Sequence, residues 1–231
     1  MGKQLLGIDI GTSACKVAVF DEDGTVLAQA SREYKVYYPK SGQAEQEPEE
    51  WWSAICESIR EVLTGKEASA EAICGIGVDG QSWSAIPIDR EGHVLCRTPI
   101  WMDTRARNIC ERVKREGLAE EIFEVAGNDF LPSYTTPKML WFREEMPEVF
   151  GKAYKFLQSN SYIVYKLTDR ISQDYSQGYG IHFFDVDRLT YHEELANKLG
   201  LTQELLPALC GCDNIVGEVT EDAAKKTGLK A

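Results

Sequence analysis

The sequence of 231 residues predicts an α/β domain in which antiparallel strands extend a partly parallel sheet. Three observations lead to this fold class. Residues 5–31 alternate apolar runs with turn residues, as three consecutive antiparallel strands do. Residues 48–65 carry an apolar stripe with helical spacing, and residues 72–78 form a short apolar run that is typical of a buried strand. Helical and strand-like segments then alternate along the rest of the chain.

Local signals divide the chain into these elements. Turn residues at Gly11–Ser13 and at 21–24 separate the first three strands, and proline followed by two glutamates at 48–50 is typical of a helix start. The runs 84–89 and 94–97 indicate a hairpin. The predicted strands are Leu5–Ile10, Cys15–Phe20, Thr25–Ser31, Ala72–Val78, Ser84–Asp89, Val94–Arg97, Ile171–Tyr175 and Ile181–Val186. The predicted helices are 48–65, Arg105–Glu116, Leu118–Ala126, Pro137–Glu145, Ser161–Leu167, Glu193–Leu199 and Gln203–Leu209.

Charge and cysteine content argue against several classes of partner. The chain has 25 Lys and Arg against 37 Asp and Glu, and a net charge of −12 would repel nucleic acid and anionic membranes. No apolar run reaches the roughly 18 residues of a membrane span, and the first residues lead directly into a strand, so we expect a cytoplasmic protein. The seven cysteines are an odd number without a C-x-x-C pair, which predicts reduced thiols and no structural metal.

The first candidate site lies where the first strand ends. Asp9 is followed by Gly11, which permits close backbone approach, by the hydroxyls of Thr12 and Ser13, and by the cation of Lys16. These groups suit a phosphate with bound Mg²⁺, because amides and hydroxyls can contact phosphate oxygens while Asp9 holds the metal through water. A plain hairpin with turn residues explains the segment equally well, and its spacing is not that of a P-loop.

Motifs spread over nearly the whole chain carry a resemblance to a known family. They are DIGTS at 9–13, the segment 75–89 with GQ at 80–81, WMDTRA at 101–106, YTTPK at 134–138, and LTD at 167–169 leading to DYS at 174–176. In this order they resemble the FGGY family of carbohydrate kinases, and among its members the xylulokinases. The resemblance implies two ribonuclease H-like, or actin-like ATPase, lobes with the active site between them. Residues 1–231 would then be the N-terminal, sugar-binding lobe, with the nucleotide-binding lobe absent from the chain.

The resemblance also implies roles for two aspartates. Asp174 would be the general base that takes a proton from the sugar hydroxyl as it attacks the γ-phosphate of ATP. A turn or helix cap explains an aspartate at this position as well. Asp103 would accept hydrogen bonds from sugar hydroxyls, and it is also placed to be the N-cap of the helix that follows. A solvated residue of the first helical turn explains Arg105 equally well, and it is left outside the site.

The sugar wall is expected to include Gln81, Ser82, Trp83 and Trp101. Xylulokinases usually carry Met-His where this chain has Ser82 and Trp83, so the selected stereochemistry can differ. An indole can cover the apolar C–H face of a sugar, and a serine can bond one hydroxyl. The alternative is that Trp83 is a core residue beneath the hairpin.

Together these features predict an ATP- and Mg²⁺-dependent kinase for a ketose, with xylulose as the first candidate. Ribulose or a polyol is the alternative substrate. An actin-like ATPase module and a sugar-binding module without kinase activity are the alternatives in other classes. The expected partners are small molecules, a sugar and ATP, and a homodimer is left open.

Overall fold

The N-terminal part of the chain forms strands only, and helices alternate with strands in the rest of the chain. A computed structural model describes residues 2–231. The strands are β1 (Gln4–Ile10), β2 (Ala14–Phe20), β3 (Val26–Glu33), β4 (Glu45–Gln46), β5 (Ile73–Gly80), β6 (Ile86–Ile88), β7 (Thr98–Pro99), β8 (Lys155–Leu157), β9 (Ser172–Asp174), β10 (Phe184–Asp185), β11 (Thr190–Tyr191) and β12 (Ala208–Cys210). The helices are α1 (Pro48–Val62), α2 (Arg107–Arg115), α3 (Ala119–Ala126), α4 (Thr135–Glu145), α5 (Pro147–Lys152), α6 (Ser159–Thr168), α7 (Tyr175–Gly178), α8 (Glu193–Lys198) and α9 (Glu221–Thr227), with a 3₁₀ helix at Gln203–Leu205.

The central sheet has four strands in the order β3-β2-β1-β5. The first three form the predicted antiparallel meander, and β5 pairs with β1 in parallel. Alternation along β1 places Leu6, Ile8 and Ile10 in the core, whereas Leu5 and Asp9 point to the opposite face. This mixed sheet confirms the predicted fold class.

Helix α1 covers the buried face of the sheet. Pro48 occupies its first turn, where the missing N–H has no helical partner to lose, and acidic residues fill the same turn. Trp51, Ile55 and Ile59 are fully buried and recur with helical spacing. The helix therefore forms as predicted, and it packs against β2 and β3.

A second core lies under the later helices. Met139, Leu140 and Phe142 of α4 pack there with side chains of α2 and α8. The seven cysteines are all free thiols, as predicted. Along residues 2–231 no helix combines the length and apolar composition needed to cross a bilayer.

Three predicted elements differ from the structure. The predicted helix 203–209 is wrong: it is one 3₁₀ turn followed by β12, because Pro207 forces Leu206 into an extended conformation. The predicted hairpin at 84–97 is reduced to a single bridge, Ile88 to Val94, and the other edge of β6 pairs with β8. Of the predicted strand 181–186, only β10 is a strand.

Candidate active site

A cleft of about 380 Å³ opens at the carboxyl ends of the parallel strands β1 and β5. Such strand ends are where α/β folds bind ligands, because the loops that follow them converge at one edge of the sheet. The cleft is lined by Asp9, Gly11, Thr12, Asp79, Gly80, Gln81, Ser82, Trp83 and Trp101. All of these except Asp79 and Gly80 were predicted as site residues. The predicted residues Ser13, Lys16, Asp103 and Asp174 do not line it.

The β1–β2 turn is tied down from three sides. Its tightness requires glycine, since a Cβ at Gly11 would lie 2.8 Å from the carbonyl oxygen of Ala14. Tyr34 donates its hydroxyl to the Gly11 carbonyl at 2.5 Å. Thr12 accepts at its carbonyl from Gln46 Nε2 (2.8 Å) and at Oγ1 from the indole of Trp101 (2.9 Å). The turn is therefore held in one conformation at the cleft.

Two carboxylates stand side by side at the edge of the cleft. Asp9 and Asp79 are direct partners in the parallel pairing of β1 with β5. Lys16 reaches Asp9 at 3.3 Å, but its side chain is 71% exposed and that of Asp9 is 45% exposed, so this ion pair contributes little to stability. Asp79 is exposed and bonds only its neighbouring amide, that of Gly80. Oxygen atoms on both carboxylates are thus accessible from the cleft.

Gln81 links the loop after β5 to the turn. Its amide donates to the carbonyl of Ile10 at 2.7 Å, and its side chain donates to Gln46 Oε1 at 2.7 Å. Gln46 is fully buried and bonds Thr12, so one chain of hydrogen bonds joins the two loops that line the cleft. The Oε1 atom of Gln81 is buried without a partner in the structure.

Asp103 is buried in an ion pair and does not line the cleft, and its contact with the sugar stays a prediction. Its carboxylate is fully buried, is bridged by two nitrogens of Arg105 at 2.9 and 2.8 Å, and accepts from the amide of Ala44 at 2.7 Å. Helix α2 begins only at Arg107, and its N-cap residue, Ala106, has no side-chain cap. The predicted N-cap role is therefore wrong, and Arg105, which is 5% exposed, is a buried ion-pair partner instead of a solvated residue.

Asp174 is the N-cap of the short helix α7. One carboxylate oxygen accepts from Ser176 Oγ (2.5 Å) and the amide of Gln177 (3.0 Å), and the other accepts from Asn160 Nδ2 (2.5 Å). Burial by itself would raise the pKa of this carboxyl, but the donors outweigh it and hold the pKa below its usual value. The sequence allowed two roles for Asp174, a helix cap or a general base, and the structure contains the cap. The catalytic role stays a prediction.

Asp79 and Gln46 were missed by the sequence analysis. The signal for Asp79 was present, because it ends a predicted buried strand parallel to the strand of Asp9. Gln46 gave no local signal, since its contacts with Thr12 and Gln81 span more than thirty residues of chain.

The carboxylates suit the Mg²⁺ that the resemblance implies. Within residues 2–231 no group of three metal-binding side chains is present. Mg²⁺ keeps several waters and is commonly held by one or two carboxylates together with substrate phosphates. The adjacent oxygens of Asp9 and Asp79 meet that requirement.

A second cleft of about 300 Å³ lies between α2, α4 and α8. It is lined by cationic side chains that already have acidic partners, such as Arg112 with Glu144 and Lys198 with Glu121. It contains no predicted site residue. The first cleft is therefore the candidate active site.

Several known proteins are similar to this chain in sequence and in structure. Xylulose kinase of Bacillus subtilis is 32% identical over 227 residues, which is 98% of this chain and 45% of that protein. The structures of xylulose kinase from Rhodospirillum rubrum and of gluconate kinase from Lactobacillus acidophilus superpose with TM-scores of 0.93 and 0.92, each at 27% identity and over 99% of this chain. They are matched over 47% and 46% of their own lengths, so the chain spans about half the length of its relatives.

The meander, the parallel fourth strand and the cleft at their edge define a ribonuclease H-like lobe of the actin-like ATPase fold. The N-terminal domain of the FGGY family of carbohydrate kinases matches residues 4–231. The chain therefore belongs to the FGGY family of carbohydrate kinases.

Proposed function

We propose that the chain is the sugar-binding lobe of an ATP-dependent kinase that phosphorylates a ketose at a terminal hydroxyl, with xylulose as the first candidate. One observation carries the proposal: a tightly held glycine turn, two accessible carboxylates and an aromatic wall meet in one cleft. The xylulose kinases among the similar proteins support the choice of sugar. The second lobe of the two-lobed kinase would supply the adenosine site.

The turn and the carboxylates form the phosphate side of the cleft. Asp9 and Asp79 would hold Mg²⁺, which neutralises charge on the transferred phosphoryl group when bound. The Gly11 amide closes the turn by donating to the Ala14 carbonyl (3.0 Å), so Thr12 is the residue whose backbone amide would face phosphoryl oxygens, from a turn that is already ordered. Such preorganisation favours electrostatic stabilisation without reorganisation. Ser13 and Lys16 do not line the cleft, and we keep them as outer members of this side.

The indoles form the sugar side. Trp83 and Trp101 both line the cleft, and an indole face packs well against the C–H bonds of a sugar ring or chain. Gln81 and Ser82 provide amide and hydroxyl groups for sugar hydroxyls. An ATPase that drives assembly has no use for this wall, so the alternative of an actin-like module is disfavoured.

The general base has two candidates. Asp174 is the one implied by the family resemblance, but its oxygens already accept several hydrogen bonds and its lowered pKa makes it a weaker base. A carboxylate from the part of the relatives that this chain does not span is the other. The Asp174 variants described in the Discussion distinguish them.

The charge of the cleft favours a neutral substrate. Among residues 2–231 its lining includes two carboxylates and neither lysine nor arginine. A sugar acid such as gluconate would therefore find no cationic side chain in the described lining to pair with its carboxylate.

The test is an ADP-release assay on the full-length protein with xylulose, ribulose, glycerol and gluconate. We expect the highest kcat/KM with xylulose and a value at least about tenfold lower with gluconate, a difference of about 1.4 kcal/mol. Absence of sugar-dependent ADP release would refute the kinase, and equal rates with gluconate would refute the argument from charge.

A further inference from the structure

Trp83 has an unusual backbone for an aromatic residue. Its φ is +67°, in the left-handed region, which is unfavourable for a residue with a bulky side chain. Such a conformation persists only where surrounding contacts determine it, and these residues tend to occur at functional sites. Since Trp83 lines the candidate cleft, the contacts that hold it also shape the site.

Both backbone polar groups of Trp83 are bound by buried side chains. Its amide donates to Gln158 Oε1 at 2.9 Å, and its carbonyl accepts from Lys138 Nζ at 2.7 Å. Gln158 is 1% exposed and Lys138 is fully buried. The backbone is therefore fixed on each side of the Cα from which the indole extends.

The indole itself is held between a ring and a glycine. It stacks on Tyr134 with ring centroids 4.2 Å apart and planes 26° from parallel. On Gly180 a Cβ would lie 2.3 Å from Trp83 Cδ1, so only glycine leaves room for the ring. The indole consequently has one place in which it can pack.

Lys138 is an unusual group to bury. Its ammonium donates only to backbone carbonyls, those of Trp83 and of Ser133 (2.5 Å), and no carboxylate is hydrogen-bonded to it. Burial lowers the pKa of Lys138 to about 7, with a smaller opposing effect from Asp103. A methionine at this position would fill the same space, and no charged group would lose its hydration on burial. What lysine provides and methionine does not is the polar contact with the Trp83 carbonyl.

We infer that Lys138 is a positioning residue for sugar recognition, because it holds Trp83 in the left-handed conformation that makes the indole a wall of the cleft. The inference rests on the proposed function, in which this wall contacts the sugar. It assigns Lys138 an effect on sugar affinity and selectivity that acts through Trp83, with no contact to the sugar itself. The β1–β2 turn, which has its own tethers, should be unaffected.

The variant Lys138→Met tests this inference, and Lys155→Met is its matched control. Lys155 also donates to two backbone carbonyls, but these are of Glu204 and Leu206 and not of a residue that lines the cleft, whereas Lys138 bonds the carbonyl of Trp83. The full-length protein is labelled with ¹⁵N-tryptophan, and the indole N–H resonance of Trp83 is assigned with Trp83→Phe. Xylulose and ribulose affinities are measured by titration on the same samples.

We expect Lys138→Met to move the Trp83 indole resonance, since the ring leaves the face of Tyr134, and to weaken xylulose binding by about tenfold or more. Its preference between the two ketoses should shrink. Lys155→Met should change neither the resonance nor the affinities. A Lys138→Met protein with an unchanged resonance and unchanged affinity would overturn the inference.

Two further outcomes are decisive. If Lys138→Met does not fold, Lys138→Gln, which keeps an amide donor, is measured in the same way, and loss of folding in both variants would overturn the inference in favour of a purely structural lysine. If the unmodified protein binds neither ketose, the proposed function fails. If the unmodified protein binds the ketoses and Lys138→Met binds them equally well, the inference about Lys138 fails while the proposed function stands.

Discussion

Two pairs of aspartates in this chain have opposite environments. Asp9 and Asp79 stand next to each other at the edge of the cleft with oxygens open to solvent. Asp103 and Asp174 are surrounded by donors that occupy their oxygens, from Arg105 in one case and from Asn160, Ser176 and an amide in the other. The comparison teaches that a carboxylate is available for chemistry only where the fold leaves its lone pairs unused.

The largest expected effect concerns the buried pair. Asp103→Ala removes the fully buried one of the two carboxylates that neutralise Arg105, leaving Glu45 at 2.7 Å, and it also leaves the buried Ala44 amide without its acceptor. We expect a loss of about 3 kcal/mol in the free energy of unfolding. For a chain of this size that corresponds to a fall of roughly 10 °C in melting temperature. Thermal melts of Asp103→Ala and Asp79→Ala compare the two environments directly. If both variants lower the melting temperature by a similarly small amount, the distinction between the buried and the open aspartates is wrong.

The next effect concerns the open pair. Asp9→Asn keeps the shape of the side chain but loses the charge that is proposed to hold Mg²⁺, so kcat of the full-length protein should fall by about 100- to 1,000-fold. Its melting temperature should hardly change, since the only ion pair lost is the exposed one with Lys16. Lys16→Met is the control for stability, because it removes the same ion pair and keeps the carboxylate. Near-normal turnover in Asp9→Asn would contradict the assignment.

Asp174 sharpens the comparison, since it has both a structural and a proposed catalytic role. As a cap alone, Asp174→Ala should lower the free energy of unfolding by about 1 kcal/mol. Asp174→Asn keeps one capping oxygen but loses the charge and one acceptor, so it should be somewhat less stable than the unmodified protein while its turnover is nearly unchanged. As general base, both variants should lose about 100- to 10,000-fold in kcat. Turnover of Asp174→Asn therefore decides between the two.

The smallest effect is the pH dependence of the same residue. The pKa of Asp174 is lowered in the folded protein from the ordinary value of 3.8, so the unfolded chain binds a proton first as the pH falls. The ionised Asp174 carboxylate stabilises the folded protein fully at pH values above 3.8. This stabilisation is lost as the pH falls from 3.8 to values below the pKa of Asp174 in the folded protein. The difference in unfolding free energy between the unmodified protein and Asp174→Asn should shrink over this range. Urea titrations from pH 6 to pH 2.5 measure this difference in unfolding free energy. A difference that stays constant over the range would contradict the lowered pKa of Asp174.

The sequence was sufficient to predict the elements whose signals are local. The meander, α1 and β5 follow from alternation, a proline start and helical spacing, and each is where it was expected. The error at 203–209 also has a local cause, because Pro207 was present in the sequence and should have ended the helix.

The accessibility of the site residues could not be predicted in the same way. Asp103 is buried because the amide of Ala44, 59 residues away, meets its carboxylate. Trp83 has its conformation because Gln158 and Lys138 converge on it from distant elements. Motifs predicted which residues lie near the proposed chemistry, but long-range hydrogen bonds decide which of their polar atoms are free to take part.

The hydrogen bond from the Trp101 indole to Thr12 Oγ1 joins the two halves of the cleft, and its consequence is thermodynamic. Trp101 is 43% exposed in the aromatic wall and Thr12 lies in the ordered turn, so the freedom that the proposed ligands would remove is that of the indole and of the Thr12 hydroxyl that accepts its hydrogen bond. In the proposed kinase, a sugar bound at the aromatic wall would therefore reduce the conformational entropy that is lost when phosphate binds at the turn, and bound phosphate would do the same for the sugar. Linkage makes this assistance reciprocal and equal in both directions.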